Sequence, residues 1–341
     1  MIAALLPAHN EAATIGAAIT ELRAQGIARI IAVCDGCTDD TAEVARDAGA
    51  EVFETAENTA RKAGALNQAI EWLAPTAPEL VLVQDADTVL HPGWVEAALA
   101  ELADTRVGAV GAIFEADQHG GWLRRCQSLE WHRFAGEVDR TGRTFVLSGT
   151  AALIRWEAIE GLQEAQGHVY DESAITEDFR LTTALLGQGW ILRSPDACRV
   201  TTETMPTLGD LFRQRRRWSL GALQVVSRTR GPHMRVYRRQ QAMLLLSVLA
   251  MGLLALVTLA ALLWGTFTLS PFWLAVGAIF AVERVVTVWD RPLADRVFAG
   301  LVLPELAFAL VLQAAHLAAI HQYLTRSTGS WGHVQKELPC T

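Results

Sequence analysis

The 341-residue sequence predicts a doubly wound, mostly parallel α/β sheet that gives way to membrane-directed helices. Three observations predict this. Short apolar runs alternate with helical patterns of about a dozen residues through the first half of the chain. Several of those runs end directly in carboxylates or turn residues, as strands do at the ligand-binding edge of an open sheet. From Met243 onward long stretches lose their charges, and Met243–Trp264 has none over 22 residues.

Taken in order, Ile2–Ala8 is an apolar strand followed by His9-Asn10-Glu11, where Asn10 is expected to cap a helix with Ile15, Ile19 and Leu22 on its apolar face. Arg29–Cys34 is a second strand, ending in the turn-rich Asp35-Gly36-Cys37-Thr38-Asp39-Asp40-Thr41 that opens the next helix. Glu51–Glu54 is a short third strand, Lys62–Leu73 a helix, and Leu80–Gln84 a strand that delivers Asp85-Ala86-Asp87. Pro92–Ala103 reads as a helix, Val107–Ala112 as a strand, and Glu115 to about Arg143 as mixed but helical. Phe145–Leu147 and Ala151–Arg155 flank Ser148-Gly149-Thr150; Thr176-Glu177-Asp178 starts a helix through Gln188, and Trp190–Ser194 is a strand.

Leu208–Val226 places Leu208, Leu211, Phe212, Trp218, Ala222, Leu223 and Val226 at spacings of three and four, with Arg213 and Arg215–Arg217 on much of the rest. A basic amphipathic helix of this kind favours a lipid interface. Met243–Trp264 is long enough to span a bilayer at about 1.5 Å per residue. Phe272–Trp289, interrupted by Glu283-Arg284, and Val297–Ile320, holding Pro304, Glu305, Gln313 and His316, are the second and third candidates. The Gly265–Pro271 connection is uncharged while Asp290–Arg296 carries Arg291 and Arg296, so the positive-inside rule puts the latter, and the N-terminal domain, in the cytoplasm. Interior charges at Glu283, Arg284 and Glu305 are expected to face one another or a polar path. The expected partition is 1–200, 201–240, 241–322 and a 323–341 tail.

Net charge is −8 and the isoelectric point near 5.6, which argues against a nucleic-acid binder. The charge is uneven, however. Arg199–Arg239 holds ten Arg against Glu203 and Asp210, so that segment is +8 and the remainder −16. The five cysteines have no metal-ligand grouping, and Cys34 and Cys37 lack a second pair, so the thiols are expected reduced in a cytosol-facing protein. Met1 leads directly into a strand, and no signal peptide is expected. His9, His132, His168 and His316 show no ligand spacing.

Four separated elements call for one explanation: Asp35, Asp85-Ala86-Asp87, Thr176-Glu177-Asp178 and Gln214-Arg215-Arg216-Arg217-Trp218. In a doubly wound sheet Asp35 and Asp85 both lie at carboxyl ends of strands and can line one crevice. Two carboxylates spaced i, i+2 suit Mg²⁺ or Mn²⁺ carrying phosphate oxygens. A carboxylate at a helix start can accept a proton from a hydroxyl. Arg and Gln suit a departing diphosphate, and Trp offers a flat face to a sugar. These are the parts of metal-assisted glycosyl transfer with a nucleotide leaving group.

These motifs resemble the D, DxD, TED and QxxRW signature of family 2 glycosyltransferases. More narrowly they resemble the membrane-embedded processive branch of cellulose, chitin, hyaluronan and poly-N-acetylglucosamine synthases. The resemblance runs from Ile2 to about Leu223 and continues as membrane helices. It implies a GT-A-like fold and a UDP-sugar donor, UDP-N-acetylglucosamine or UDP-glucose. It places Asp35 at the uridine with Pro7, His9 and Glu11 nearby, and Lys62 of Arg-Lys-Ala-Gly-Ala-Leu-Asn near the nucleotide. Asp85 and Asp87 would serve diphosphate and metal, Asp87 the closer to the metal. Asp178, with Glu177 beside it, would be the general base. Gln214 and Arg217 would hold the diphosphate and Trp218 would stack under the growing saccharide. The implied outcome is inversion, giving a β-linked polysaccharide at the inner membrane.

Three spans resemble the short chitin-oligosaccharide type, so the chain is expected to make short products, or to complete a path as a homo-oligomer or with an export partner. The tail from Ser330-Trp331-Gly332-His333 to Glu337 resembles the region of a Trp that follows the last helix in related synthases. Two alternatives stand beside this reading: a single transfer to a lipid or small acceptor, and a non-catalytic membrane component that binds a nucleotide sugar or helps export. No G-x-G-x-x-G follows the first strand, which excludes a dinucleotide-dependent dehydrogenase.

Overall fold

The structure is a computed structural model that describes residues 1–116, 121–268 and 270–325. The expected Trp331 feature, most of the 323–341 tail and Cys340 lie outside the described residues. Contacts divide the chain into two compact units: Met1–His119, Gln127–Thr204 and Gly231–His233 form the first, and Gly120–Cys126, Met205–Arg230 and Met234–Thr341 the second.

The first unit runs β1 (Ile2–Ala8), α1 (Ile15–Ala24), β2 (Arg29–Cys34), α2 (Thr41–Asp47), β3 (Glu51–Glu54), α3 (Arg61–Leu73), β4 (Leu80–Gln84), β5 (Val89–Leu90), α4 (Trp94–Leu102), β6 (Val107–Gly111) and β7 (Ile113–Ala116). It continues with most of α5 (Trp122–Thr141), then β8 (Ala151–Arg155), α6 (Trp156–Gln166), α7 (Glu177–Gly187), β9 (Ile191–Arg193) and β10 (Arg199–Thr202). The main sheet has the order β3-β2-β1-β4-β8-β6-β9. All its pairings are parallel except those of β8, which runs against both β4 and β6. The mostly parallel sheet is therefore as the periodicity predicts, with one reversed strand that periodicity does not reveal.

Side-chain alternation explains why both faces of the sheet are apolar. Ala4 and Leu6, Ile30 and Ala32, and Leu80 and Leu82 join α1 and α4 in one core, centred on Ile15, Ile19, Leu22 and Trp94. The intervening Ala3 and Leu5, Ile31 and Val33, and Val81 and Val83 join α3, α6 and α7 in the other, with Leu66, Ile70, Ile159 and Leu185. Pro7 is tolerated in a central strand because β1 pairs with β4 only as far as Leu5, beyond which Pro7 has a partner on one side alone.

Several local expectations change. Asn10 does not cap α1, whose N-cap is Thr14. Asn10 instead adopts φ 59° and its Oδ1 accepts from Thr38 N–H at 2.8 Å, lacing the loop after β1 to the loop after β2. The stretch expected to be helical from Glu115 begins as β7, which with β10 and β5 forms a three-stranded sheet. These strands, and α6, are too short or too irregular in pattern to announce themselves. Four cysteines are free among the described residues, and burial pushes the Cys34 and Cys198 thiols up to about 12, which leaves both thiols inert.

The second unit holds α8 (Leu208–Arg228), α9 (Met234–Leu263), α10 (Pro271–Val286), α11 (Leu293–Gly300) and α12 (Leu303–Thr325). Helices α9 and α12 are long and apolar enough to cross a membrane, whereas α10 has only 16 residues. The third expected span is broken. Val302 takes φ 61°, and Pro304 sits in the first turn of α12, where its missing N–H is harmless. The interior charges do meet: Arg284 lies 3.3 Å from Glu305 and 3.4 Å from Glu283. Part of the apolar face of α8 that amphipathicity assigns to lipid is covered by protein, since Leu211 packs with Phe308, Val311 and Leu312 of α12.

Gly108 offers a test of the packing. It lies where the β6–β9 register shifts, and a Cβ there would come within 2.7 Å of Trp190. Gly108→Ala is expected to destabilise the first unit by about 1–3 kcal/mol, read as a lower thermal midpoint in detergent; an unchanged midpoint would refute this account of the bulge.

Candidate active site

The site is assembled at the carboxyl edge of the main sheet, where the order reverses between β1 and β4. β4 delivers Asp85 there. Because β8 is antiparallel, its leading end is at the same edge, and Asp85 N–H donates to the Thr150 carbonyl at 3.0 Å. That reversal brings Ser148-Gly149-Thr150 beside the Asp-x-Asp turn. The turn itself is pinned from below: buried Gln84 donates Nε2–H to the Thr88 carbonyl at 2.7 Å, spanning both carboxylates.

Helices α3 and α7 lie on the same face of the sheet and complete the cluster. Lys62, in the first turn of α3, bonds Asp85 and donates to the Gly149 carbonyl at 3.1 Å; its Nζ is 3.7 Å from Glu177. Asp178 accepts from Gly149 N–H at 3.3 Å and from Phe179 N–H at 2.7 Å. Lys62, Gly149, Tyr170, Glu177 and Asp178 line one pocket.

Burial, reinforced by the Glu177 charge and opposed by Lys62, pushes the Asp178 carboxyl up to about 6. A carboxylate poised there is ionised at neutral pH yet basic enough to take a proton. Asp85 is also raised by burial, with Lys62 opposing and Asp87 adding to it. Burial alone would lower Lys62, but Asp85 and Glu177 outweigh it and hold the ammonium charged.

A second group lies at the ends of β1 and β2. Asp35 accepts from Thr55 Oγ1 at 2.7 Å, its own carbonyl accepts from His9 Nδ1 at 2.6 Å, and Glu11 N–H donates to Thr41 Oγ1 at 2.8 Å. Pro7 is half-buried just before them. Gln214, Arg217 and Trp218 form a third group on α8 of the second unit, half-buried on one helical face by their i, i+3, i+4 spacing. There the Arg215 guanidinium stands 4.5 Å from the centroid of the Trp218 ring.

Asp85 and half-buried Asp87 are the residues with metal-ligand character. Among the described residues no group of three or more His, Cys, Asp or Glu is arranged around a cation. Two carboxylates still fit Mg²⁺ or Mn²⁺ when phosphate oxygens supply further positions, the usual arrangement for such cations.

Sequence reasoning passed over Asn67, which reads as an ordinary polar residue of α3. It is buried, donates to the Tyr170 carbonyl at 2.9 Å and accepts from Tyr170 N–H at 2.9 Å. The amide thus imitates a strand partner for the loop that leads to Glu177 and Asp178. Only its place five residues after Lys62 could have hinted at this.

The family described as Glycosyl transferase family group 2 matches residues 80–286, more than half of the chain. The chain belongs to family 2 of the glycosyltransferases. The poly-beta-1,6-N-acetyl-D-glucosamine synthase of Staphylococcus aureus (strain COL) is 26% identical over 234 residues, covering 66% of this chain and 55% of that protein. The uncharacterized glycosyltransferase YaiP of Escherichia coli (strain K12) is 26% identical over 236 residues, covering 64% of this chain and 56% of that one. This glycosyltransferase chain spans about half the length of the curated relatives it matches. The solved structure of a mannosyltransferase from Pyrobaculum calidifontis, in complex with GDP-Man and Mn²⁺, shares the fold with a TM-score of 0.63 at 20% identity, over 96% of this chain and 88% of that one.

Two outcomes are expected. Lys62→Met removes the charge that opposes the Asp178 shift, so the acid limb of the kcat/KM profile for donor turnover moves to higher pH; an unmoved limb would show that Lys62 does not set it. Asn67→Ala strands buried backbone groups of Tyr170 and is expected to lower stability by about 1–3 kcal/mol, measured by denaturation, with a larger loss in kcat than in donor KM.

Proposed function

We propose that the chain is an inverting, metal-dependent glycosyltransferase that extends a β-linked saccharide from a UDP-sugar at a membrane. The observation that carries this reading is the meeting of Lys62 and Asp85 with Glu177 and Asp178, which joins a diphosphate site to a base. In the proposed reaction the acceptor hydroxyl attacks the anomeric carbon from the Asp178 side and gives its proton to that carboxylate. The bond from the anomeric carbon to the diphosphate breaks, and UDP departs.

In this reading Asp35 receives the uracil and ribose, with Pro7, His9 and Glu11 shaping the same end. His9 is held by the Asp35 carbonyl, which fixes Nδ1 as its donor atom. Lys62 neutralises charge beside Asp85, Glu177 keeps Lys62 and Asp178 in register, and Asp87 with Asp85 holds the cation. When bound, Mg²⁺ or Mn²⁺ would neutralise charge on the departing diphosphate. Gln214 and Arg217 would clamp that diphosphate, and Trp218 would carry the acceptor sugar on its face.

The membrane part rests on α9 and α12, whose apolar side chains are widely exposed, Leu263 at 76% for example. A surface of this kind in water would be an aggregation site; a bilayer covers it. The catalytic part would then stand on the cytoplasmic side, where nucleotide sugars are available. The resemblance to a poly-N-acetylglucosamine synthase favours UDP-N-acetylglucosamine, with UDP-glucose next. GDP-mannose belongs in the test because the solved mannosyltransferase was captured with GDP-Man.

The test is nucleotide release by detergent-purified protein with Mn²⁺ or Mg²⁺ across UDP-sugars and GDP-mannose, with and without EDTA. Release with one UDP-sugar, abolished by EDTA, is expected. Long products on a gel support polymerisation, a single added sugar supports single transfer, and silence from folded protein supports a non-catalytic role. Asp178→Asn should cut transfer by roughly a hundredfold or more at saturating donor. Trp218→Ala should impair elongation more than donor hydrolysis; equal losses would remove its acceptor role.

A further inference from the structure

The junction between α8 and α9 carries charge that the proposed reaction does not use. Arg228 ends α8, Arg230 lies in the link, and Arg235, Arg238 and Arg239 occupy the first turns of α9. All five are exposed. No acidic residue occurs anywhere from Leu211 to Val282, so the chain supplies no carboxylate near them in sequence. Nor does any of the five form an ion pair among the described residues; Arg238 alone makes a hydrogen bond, to the Thr229 carbonyl at 2.9 Å.

The arrangement on α9 is specific. Arg235, Arg238 and Arg239 stand at i, i+3 and i+4 and so share one helical face, while Met234 and Tyr237 are buried on another. Like charges at i, i+4 destabilise a helix unless an outside charge offsets them. Along the same helix the unbroken run of large exposed apolar side chains begins at Met243, four residues after Arg239. At about 1.5 Å per residue, Arg239 lies one turn, about 6 Å, from the start of that apolar surface. That is the depth of phospholipid headgroups when the apolar part of α9 fills the hydrocarbon layer.

We propose that Arg228, Arg230, Arg235, Arg238 and Arg239 form a binding surface for the phosphate headgroups of anionic glycerophospholipids in the leaflet where α9 begins. This rests on the membrane reading of α9 but not on the glycosyl-transfer reading. Guanidinium groups suit the site because they pair with phosphate oxygens in a fork while their stems lie along apolar surface.

The test uses the full chain, reconstituted into phosphatidylcholine alone or into equal parts phosphatidylcholine and phosphatidylglycerol. Flotation reports insertion, and mass spectrometry of lipids retained after detergent release reports selectivity. The expected result is flotation with both vesicles and about tenfold enrichment of phosphatidylglycerol over its share, lost in high salt. Replacing Arg228, Arg230, Arg235 and Arg239 by Gln should abolish the enrichment without affecting flotation, and replacing them by Lys should retain most of it. Inorganic phosphate at millimolar concentration should not displace the lipid; displacement would mean that a soluble anion is the ligand and would overturn the proposal. Protein that floats with phosphatidylcholine yet retains both lipids in proportion overturns the proposal alone. Protein that fails to float overturns the membrane reading and the proposal with it.

Discussion

The Lys62 ammonium stands between a carboxylate delivered by a strand, Asp85, and two delivered by a helix, Glu177 and Asp178, and the carboxyl edge of the sheet is arranged around that contact. Without the cation, three negative charges would share a half-buried pocket, and the groups would drift apart or protonate. With it, the carboxylates keep distinct environments. Asp85 is bonded to Lys62, whereas Asp178 is held by backbone N–H groups and sits near neutrality. The Lys62 charge thereby joins the two halves of the site and restrains the rise that burial and Glu177 impose on Asp178.

That contact depends on supports that carry no chemistry. Asn67 ties the loop before α7 to α3, Gln84 braces the Asp-x-Asp turn, and the Gly149 backbone offers its carbonyl to Lys62 and its N–H to Asp178. A Cβ at Gly149 would come within 3.0 Å of the lysine nitrogen and would displace it by a few tenths of an ångström from its place beside Asp85. Preorganisation of this kind lets a site act without paying for reorganisation during each cycle.

Much of this was legible before any coordinates. Strand ends carrying Asp35 and Asp85 are visible because buried parallel strands are continuous apolar runs that stop abruptly at polar turns. Glu177 and Asp178 are visible because acids cluster at helix starts. What escaped was information that local pattern does not contain. The direction of β8 depends on its partners, since an apolar run looks the same read either way. The four-residue strands β7 and β10 are too short to show a period, and their burial is set by each other. Asn67 looks like any polar helix residue until its partner, 103 positions away, is in place. The break before α12 turns on one left-handed residue, Val302, whose β-branched side chain argues against such a conformation.

The reversed strand has a consequence for how the chain reaches this state. β8 is inserted between β4 and β6, so β4 pairs on that side with residues some seventy positions later. Until the ribosome has released the segment through Arg155, the hydrogen-bonding edge of β4 stays open, and its run of Leu80, Val81, Leu82 and Val83 has no neighbour on that side. Such an edge is a template for pairing with other nascent chains. The stretch between, which carries β6, β7 and α5, closes a long loop before that pairing is made, and such non-local pairing carries a loop-closure cost. The geometry that brings Gly149 to Lys62 therefore also leaves one strand edge open while the chain is being made.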